Sequence, residues 1–92
     1  MRKKFSWALS IINRENINEW NNLIHLTMGV KFNRRITLPN SLTHLTMGTN
    51  FNLPINLPNS LAHLILGFCY DKPIDLPNGL THLILGYHYN NP

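Results

Sequence analysis

Apolar residues recur along this chain at a fixed spacing of 19 residues. In the stretch LTHLTMG, residues 42–48, the apolar positions are separated by polar ones. A leucine and, further on, an aromatic residue recur in every copy: Leu26, Leu45, Leu64 and Leu83, then Phe32, Phe51, Tyr70 and Tyr89. A constant period of this length predicts a repeat architecture in which each unit is one small supersecondary element.

Each repeat is expected to contain one short strand between two turns. The alternation in His44–Gly48 predicts a strand that directs Leu45 and Met47 toward the core. The preceding Leu-Pro-Asn-Ser segment predicts a turn, because proline fixes φ and the Asn and Ser side chains bond to nearby backbone groups. The glycines that follow the strands are expected to make a sharp exit with positive φ: Gly29, Gly48, Gly67 and Gly86.

The predicted fold class is mainly β, with little or no α-helix. Stacked coils would bring equivalent strands side by side in one parallel sheet of about five short strands, spaced about 4.8 Å apart. A single coil cannot bury its apolar side, so neighbouring coils complete the core. The expected core consists of the following residues and their equivalents: Leu42, Leu45, Met47, Phe51, Ile55 and Leu57.

The 92 residues are expected to form one small domain built from successive coils. We interpret residues 1–21 as a degenerate N-terminal capping coil. The repeats that follow are 22–37, 38–56, 57–75 and 76–92.

Two patterns compete within the N-terminal segment. Apolar residues at positions 5, 8, 9 and 12 fit one face of a helix, whereas those at 5, 7, 9 and 11 alternate as in a strand. Stepping back one period from Leu26 gives Trp7, which is also apolar. The repeat phase therefore favours a capping strand near Phe5–Ser10.

The repeats resemble leucine-rich repeats, whose LxxLxL core appears here as Leu42-x-x-Leu45-x-Met47. They are most similar to the FNIP-type repeat, because residues 51–55 read FNLPI and follow an LPNSLTHL run. Arg34-Arg35 departs from the pattern where Leu53-Pro54 stands one coil later. The resemblance covers about residues 20–92 and implies a right-handed solenoid.

FNIP-repeat proteins are known from social amoebae and giant DNA viruses, often beside an F-box, so the resemblance implies a viral protein as one origin. An F-box is a helical module of roughly twice the length of residues 1–21. The ubiquitin-ligase role of F-box relatives is therefore not carried over to this chain.

The exposed face of the sheet is the predicted partner-binding surface. Its residues precede and follow the core leucine of each strand, and two aromatic residues extend the set: His25, His44, His63, His82, Thr27, Thr46, Ile65, Ile84, Phe68 and Tyr87. Exposed apolar and aromatic residues are typical of interfaces. We therefore predict a non-catalytic protein–protein interaction module with an unidentified protein partner.

The histidines admit an alternative interpretation as a metal-binding row, since imidazole binds zinc, copper and nickel. No Cys, Asp or Glu recurs beside them, so a structural surface ladder is favoured and no metal ligand is assigned. Protonating neighbouring histidines is mutually unfavourable, which predicts that binding through this face is sensitive to mild acid.

A second alternative is self-assembly through the C-terminal edge of the sheet. The expected last strand, His82–Gly86, would expose the edge leucines Leu80, Leu83 and Leu85 and invite pairing with another chain as a homodimer. A tail that folds over the edge is the competing interpretation.

Composition disfavours catalysis and several classes of partner. Only four acidic residues are present and they do not cluster, so we predict neither an enzyme nor a cofactor. Residues 1–46 hold seven basic and two acidic residues, but they match no nucleic-acid-binding module, which makes nucleic acid a disfavoured partner.

The expected cellular location rests on the lack of a targeting signal and of cysteine pairs. Neither a signal peptide nor a membrane-length apolar run is present, and the single Cys69 allows no internal disulfide. An intracellular, cytoplasmic location is expected, which for a viral protein would be the host cytoplasm.

Overall fold

In a computed structural model of the chain, which describes residues 4–6 and 21–90, the regular elements are short parallel strands. The strands are β1 (Lys4–Ser6), β2 (His25–Thr27), β3 (His44–Thr46), β4 (His63–Ile65) and β5 (His82–Ile84). They form one sheet in the order β1-β2-β3-β4-β5, as expected when each coil stacks on the one before it. The predicted mainly β solenoid with five short parallel strands is confirmed.

The strand register follows the repeat from β2 onward. Leu26 pairs with Leu45, Leu45 with Leu64, and Leu64 with Leu83, so residues 19 apart lie side by side. Because the register preserves the side-chain alternation, each structural column contains the same position of every repeat.

The N-terminal strand departs from this phase. Phe5 pairs with Leu26, so β1 lies 21 residues before β2 and the alignment of Trp7 with Leu26 is wrong. A two-residue shift keeps the same alternation of faces, which is why the apolar pattern alone fits both registers. The predicted capping strand exists but covers Lys4–Ser6. The alternative helical pattern falls largely on residues 7–20, outside the described residues.

The core is a set of columns of identical or similar side chains. Leucines that precede and occupy β2, β3 and β4 are buried, and so are the residues two positions after the leucine of each of these strands: Leu23, Leu42, Leu61, Leu26, Leu45, Leu64, Met28, Met47 and Leu66. Each buried large apolar side chain contributes roughly 1.5–3 kcal/mol, set against comparable ordering costs. Of the six named core residues, Leu57 is only half-buried and packs against the cluster. The prediction fails for several of their equivalents: Phe32, Ile36, Ile74, Leu80 and Tyr89 are only partly buried, and Leu76, Leu83 and Leu85 are exposed.

An aromatic column completes the core on the far side of each coil. The rings of Phe32, Phe51, Tyr70 and Tyr89 stack with centroid separations of 6.0, 5.6 and 6.3 Å. Tyr70 is fully buried, and its hydroxyl has no hydrogen-bond partner among the described residues. Burial, with a smaller contribution from Tyr89, raises the pKa of Tyr70 to about 12.

The glycine column is required by close packing, and the prediction of positive φ is wrong. None of the described glycines has a positive φ. A Cβ on Gly48 would collide with the carbonyl of Gly29, and one on Gly67 would collide with the carbonyl of Gly48. Successive coils therefore approach too closely at this position for any side chain.

Side-chain hydrogen bonds join each coil to the next at the turns. The Asn33 and Asn52 side-chain oxygens accept from the amides of Asn52 and Asp71, at 2.9 and 2.8 Å. The Ser60 hydroxyl donates to the Leu42 carbonyl at 2.6 Å. These bonds satisfy turn backbone groups that lie outside the sheet ladder.

Candidate functional site: the sheet face

The sheet face is formed by the strand residues on either side of the buried leucine. In β4, His63 and Ile65 flank Leu64, which is only 1% exposed. Period-two alternation therefore directs the histidine and the Thr or Ile of each strand away from the core. The predicted columns His25–His82 and Thr27–Ile84 both lie on this face, although four of their members are only half-buried: His25, His44, His63 and Thr46.

The four histidines form a continuous stack, which we call the histidine column (His25, His44, His63 and His82). Consecutive ring centroids are 4.0, 4.1 and 4.1 Å apart, and the ring planes differ by 24°, 11° and 21°. This separation is shorter than the strand spacing of about 4.8 Å. The imidazoles thus contact one another face to face.

Threonines orient two of these rings. The Thr43 hydroxyl donates to the Ile24 carbonyl at 3.1 Å, which uses its only proton, and lies 2.7 Å from His44 Nδ1. When the hydroxyl proton goes to the carbonyl, the hydroxyl oxygen accepts from a protonated Nδ1. Thr81 makes the same pair of bonds to the Ala62 carbonyl and His82 Nδ1. In the neutral ring this tautomer leaves Nε2 as the acceptor.

His63 differs because alanine stands where its neighbours have threonine. Ala62 offers no hydroxyl, and His63 Nδ1 is buried without a hydrogen-bond partner among the described residues. Desolvation lowers the pKa of His63 below 6.5, and the charges that would form on His44 and His82 lower it further. The neutral ring is therefore the favoured form at the centre of the column.

The geometry of the column does not form a chelating site. Because the rings are nearly parallel, their in-plane lone pairs run side by side and do not converge on one point. Across residues 4–6 and 21–90, no group of three His, Cys, Asp or Glu side chains is arranged to hold a metal ion.

The C-terminal half of the face is apolar and aromatic. Ile65 and Ile84 are 38% and 58% exposed, and Phe68 and Tyr87 are 48% and 82% exposed. These four residues, all predicted for partner binding, form two columns: Ile65 pairs with Ile84, and Phe68 stacks on Tyr87. We call them the apolar patch.

His88 joins this patch, although sequence reasoning did not assign it to the surface. The rings of Phe68 and Tyr87 stack at 5.4 Å, and the His88 ring lies edge-on to both, at 4.7 and 5.4 Å. A usable signal was its position next to Tyr87 in a coil exit, where the equivalent residues of earlier coils are Lys31, Asn50 and Cys69.

The predicted edge leucines are more exposed than their equivalents in inner coils. Leu83 is 37% exposed and Leu85 is 40% exposed, whereas Leu64 and Leu66 are 1% and 2% exposed; Leu80 is half-buried. Within the described part of the chain, β5 pairs with β4 alone.

The described residues also bear on membrane insertion. Within them, no helix has the length and apolar character needed to cross a bilayer.

Comparisons with known proteins support the repeat assignment. Residues 32–69 match the family described as FNIP Repeat. The crystal structure of CroV588, a giant-virus protein described as a novel circular LRR protein structure, is similar to 78% of this chain, with 39% sequence identity and a TM-score of 0.52. This chain spans only 15% of the CroV588 chain. No curated protein matches significantly. Together the two matches support a repeat protein of the leucine-rich, FNIP type.

Proposed function

We propose that this chain is a non-catalytic protein-interaction module that binds a protein partner through its sheet face. The observation that carries the proposal is the apolar patch, since four neighbouring large side chains, Ile65, Ile84, Phe68 and Tyr87, are more than one-third exposed. Contiguous exposed apolar surface with aromatic anchors is typical of binding sites.

The rigidity of the repeat supports the same proposal. Both columns of the patch project from consecutive strands and their exits. The buried Leu64, Leu66 and Tyr70 hold the first coil in place, and the partly buried Leu80 and Tyr89 pack the last coil against the core. A preformed surface loses little conformational entropy on binding. Leucine-rich and FNIP repeats are generally non-enzymatic families that act in interaction or structural roles.

Site-specific photo-crosslinking tests the proposal. A photo-reactive phenylalanine analogue at position 87 is expected to form a discrete protein adduct in lysate of cells that express the chain. Unlabelled wild-type chain should compete for the adduct, and the Ile84→Lys variant should not. The matched control places the same analogue at Leu76, which is 46% exposed in a turn. Equal adducts from both positions, or equal competition by both chains, would contradict the proposal.

A second candidate function is structural self-assembly through the β5 edge. The exposure of Leu83 and Leu85 favours it, because an uncovered strand edge with apolar neighbours readily pairs with another chain. CroV588 is described as a circular leucine-rich-repeat protein. In this chain, packing of the last coil against a coil of a second copy would cover the exposed β5 edge.

Light scattering after gel filtration tests this candidate across a concentration series of the 92-residue chain. Self-assembly predicts a dimer or larger species for wild type and a monomer for Leu85→Lys with unchanged circular dichroism. A wild-type monomer at high concentration would exclude the candidate and leave the sheet-face proposal standing.

A further inference from the structure

The histidine column joins four titratable rings on adjacent strands of the sheet. Its rings are in face-to-face contact at 4.0–4.1 Å. No Asp or Glu stands at any strand position or at the residue before any described strand from β2 to β5. The register also aligns Lys4 of β1 with His25, so the same column begins with a cationic residue.

We propose that the histidine column is a proton-operated switch on the sheet face. At neutral pH its uncharged rings stack and hold the strands and the apolar patch in one arrangement. Mild acid charges the rings, forces them apart and loosens the central strands. This regulation goes beyond the proposed binding role and does not depend on it.

The first step of the argument is repulsion between neighbours. Two imidazolium rings in contact repel, and the repulsion is stronger beside a low-dielectric core than in water. Every inner ring has two such neighbours, so protons cannot fill the column independently. The other charged side chains of residues 21–90 and the remaining histidine lie in the turns and coil exits: Lys31, Arg34, Arg35, Asp71, Lys72, Asp75 and His88. The titratable Cys69, Tyr70, Tyr87 and Tyr89 also follow the strands.

The second step concerns the central ring. A protonated imidazole needs an acceptor for both N–H groups. His44 and His82 each have a threonine hydroxyl beside Nδ1 that can accept its N–H when the ring is protonated, whereas the buried Nδ1 of His63 has no acceptor among the described residues. Charging His63 would bury an unpaired donor in addition to the repulsion.

The direction of the pH dependence follows from linkage. Burial and the neighbouring histidines lower the pKa of His63 below the unfolded value of 6.5. The unfolded chain therefore binds more protons than the folded chain once the pH falls through 6.5. Stability is complete above that pH and declines as the pH approaches the folded pKa of His63.

Proton NMR titration of the full chain between pH 8 and pH 4 tests the switch directly. The His63 ring is expected to titrate below 6.5 with a broadened curve. In Ala62→Thr, the new hydroxyl supplies the missing acceptor for Nδ1–H, so the His63 midpoint should move upward. His88→Phe is the matched control, because it removes an exposed histidine outside the column, and it should leave the His63 curve unchanged.

Thermal unfolding between pH 7 and pH 5 supplies the second readout. His63→Phe keeps a stackable ring without a titrating group, so its melting temperature should fall less with acid than that of wild type or His88→Phe. A His63 midpoint at 6.5 with an ordinary single-site curve would overturn the proposal. So would an unshifted midpoint in Ala62→Thr, a test that remains valid even if His63→Phe does not fold.

Discussion

Tyr70 occupies the core position that Phe51 fills one coil earlier, and the difference is a single hydroxyl. The two rings stack at 5.6 Å with an interplanar angle of 8°, so the phenol fits the aromatic column. Its oxygen is nevertheless buried without a partner among the described residues. An unsatisfied buried hydroxyl costs about 1–3 kcal/mol.

Tyr70→Phe is therefore expected to stabilise the chain by about 1 kcal/mol in urea unfolding at pH 7. Because the raised pKa of Tyr70, about 12, exceeds the unfolded value of 10.0, wild-type stability should also fall as the pH rises above 10. The variant has no hydroxyl at this position and should not show this part of the pH dependence. Tyr87→Phe, at a position 82% exposed, is the control and should change the free energy of unfolding little. Equal effects of the two substitutions would contradict the role assigned to burial.

Gly79 interrupts a column of serines at the turn before each strand. Ser41 and Ser60 donate to the carbonyls of Leu23 and Leu42, and the next carbonyl in the series belongs to Leu61. A Cβ at Gly79 would meet no atom within 4 Å. The chain therefore has space for the missing side chain.

Gly79→Ser should restore the hydrogen bond and raise the free energy of unfolding by about 1 kcal/mol, in addition to the loss of glycine freedom in the unfolded chain. Gly79→Ala isolates the second effect, so the difference between the two variants in urea unfolding measures the bond. If alanine stabilises as much as serine, the bond does not form.

At the scale of the element, the closest contact between coils lies at the glycines that follow the strands. The carbonyl of one glycine fills the space that a Cβ on the next would need. A residue with a side chain at this position would force the two coils apart. The packing of the columns on either side therefore depends on a residue without a side chain.

Gly67→Ala is expected to destabilise by about 1–3 kcal/mol, because its Cβ would collide with backbone that cannot move alone. Gly79→Ala should not destabilise, because a Cβ at Gly79 would meet no atom of the described ranges within 4 Å. Differential scanning calorimetry of both variants measures the contrast. Similar melting temperatures would contradict a close-contact role for the glycine column.

Most of each strand could be predicted from sequence, because repetition amplifies a weak local signal. The pattern His-Leu-Thr is short, yet its return every 19 residues fixed four of the five strands and their register. The N-terminal register could not be fixed, since Phe5 and Trp7 satisfy the same alternation. The glycine geometry was also beyond sequence, because glycine suits both a positive φ and a close approach.

The sequence predicted which residues form the candidate site, but not how their side chains stack and hydrogen-bond. Sequence placed the histidines and the apolar patch on one face, which the alternation about Leu64 explains. Ring stacking at 4.1 Å and the buried Nδ1 of His63 depend on side-chain rotamers and on the hydroxyl that Ala62 lacks. Neither follows from the spacing of residues along the chain.

At the scale of the whole molecule, stability comes from contacts between adjacent coils. β2, β3 and β4 are each paired on both sides, whereas β5 is paired on one side within the described residues. In such an array the stability is approximately a sum of coil and interface contributions. The same side chain should therefore contribute differently at the centre and at the edge.

Leu64 and Leu83 occupy the same repeat position, with exposures of 1% and 37%. Leu64→Ala should cost about 2–5 kcal/mol, because it removes a leucine enclosed by coils on both sides and leaves a cavity. Leu83→Ala should cost much less in a monomer. If the β5 edge is covered by a second copy, however, the cost of Leu83→Ala should grow with protein concentration.

Urea unfolding at two protein concentrations that differ a hundredfold distinguishes the cases. A small cost of Leu83→Ala that does not change with concentration indicates an open edge. Equal costs of the two substitutions at low concentration would contradict nearest-neighbour stabilisation.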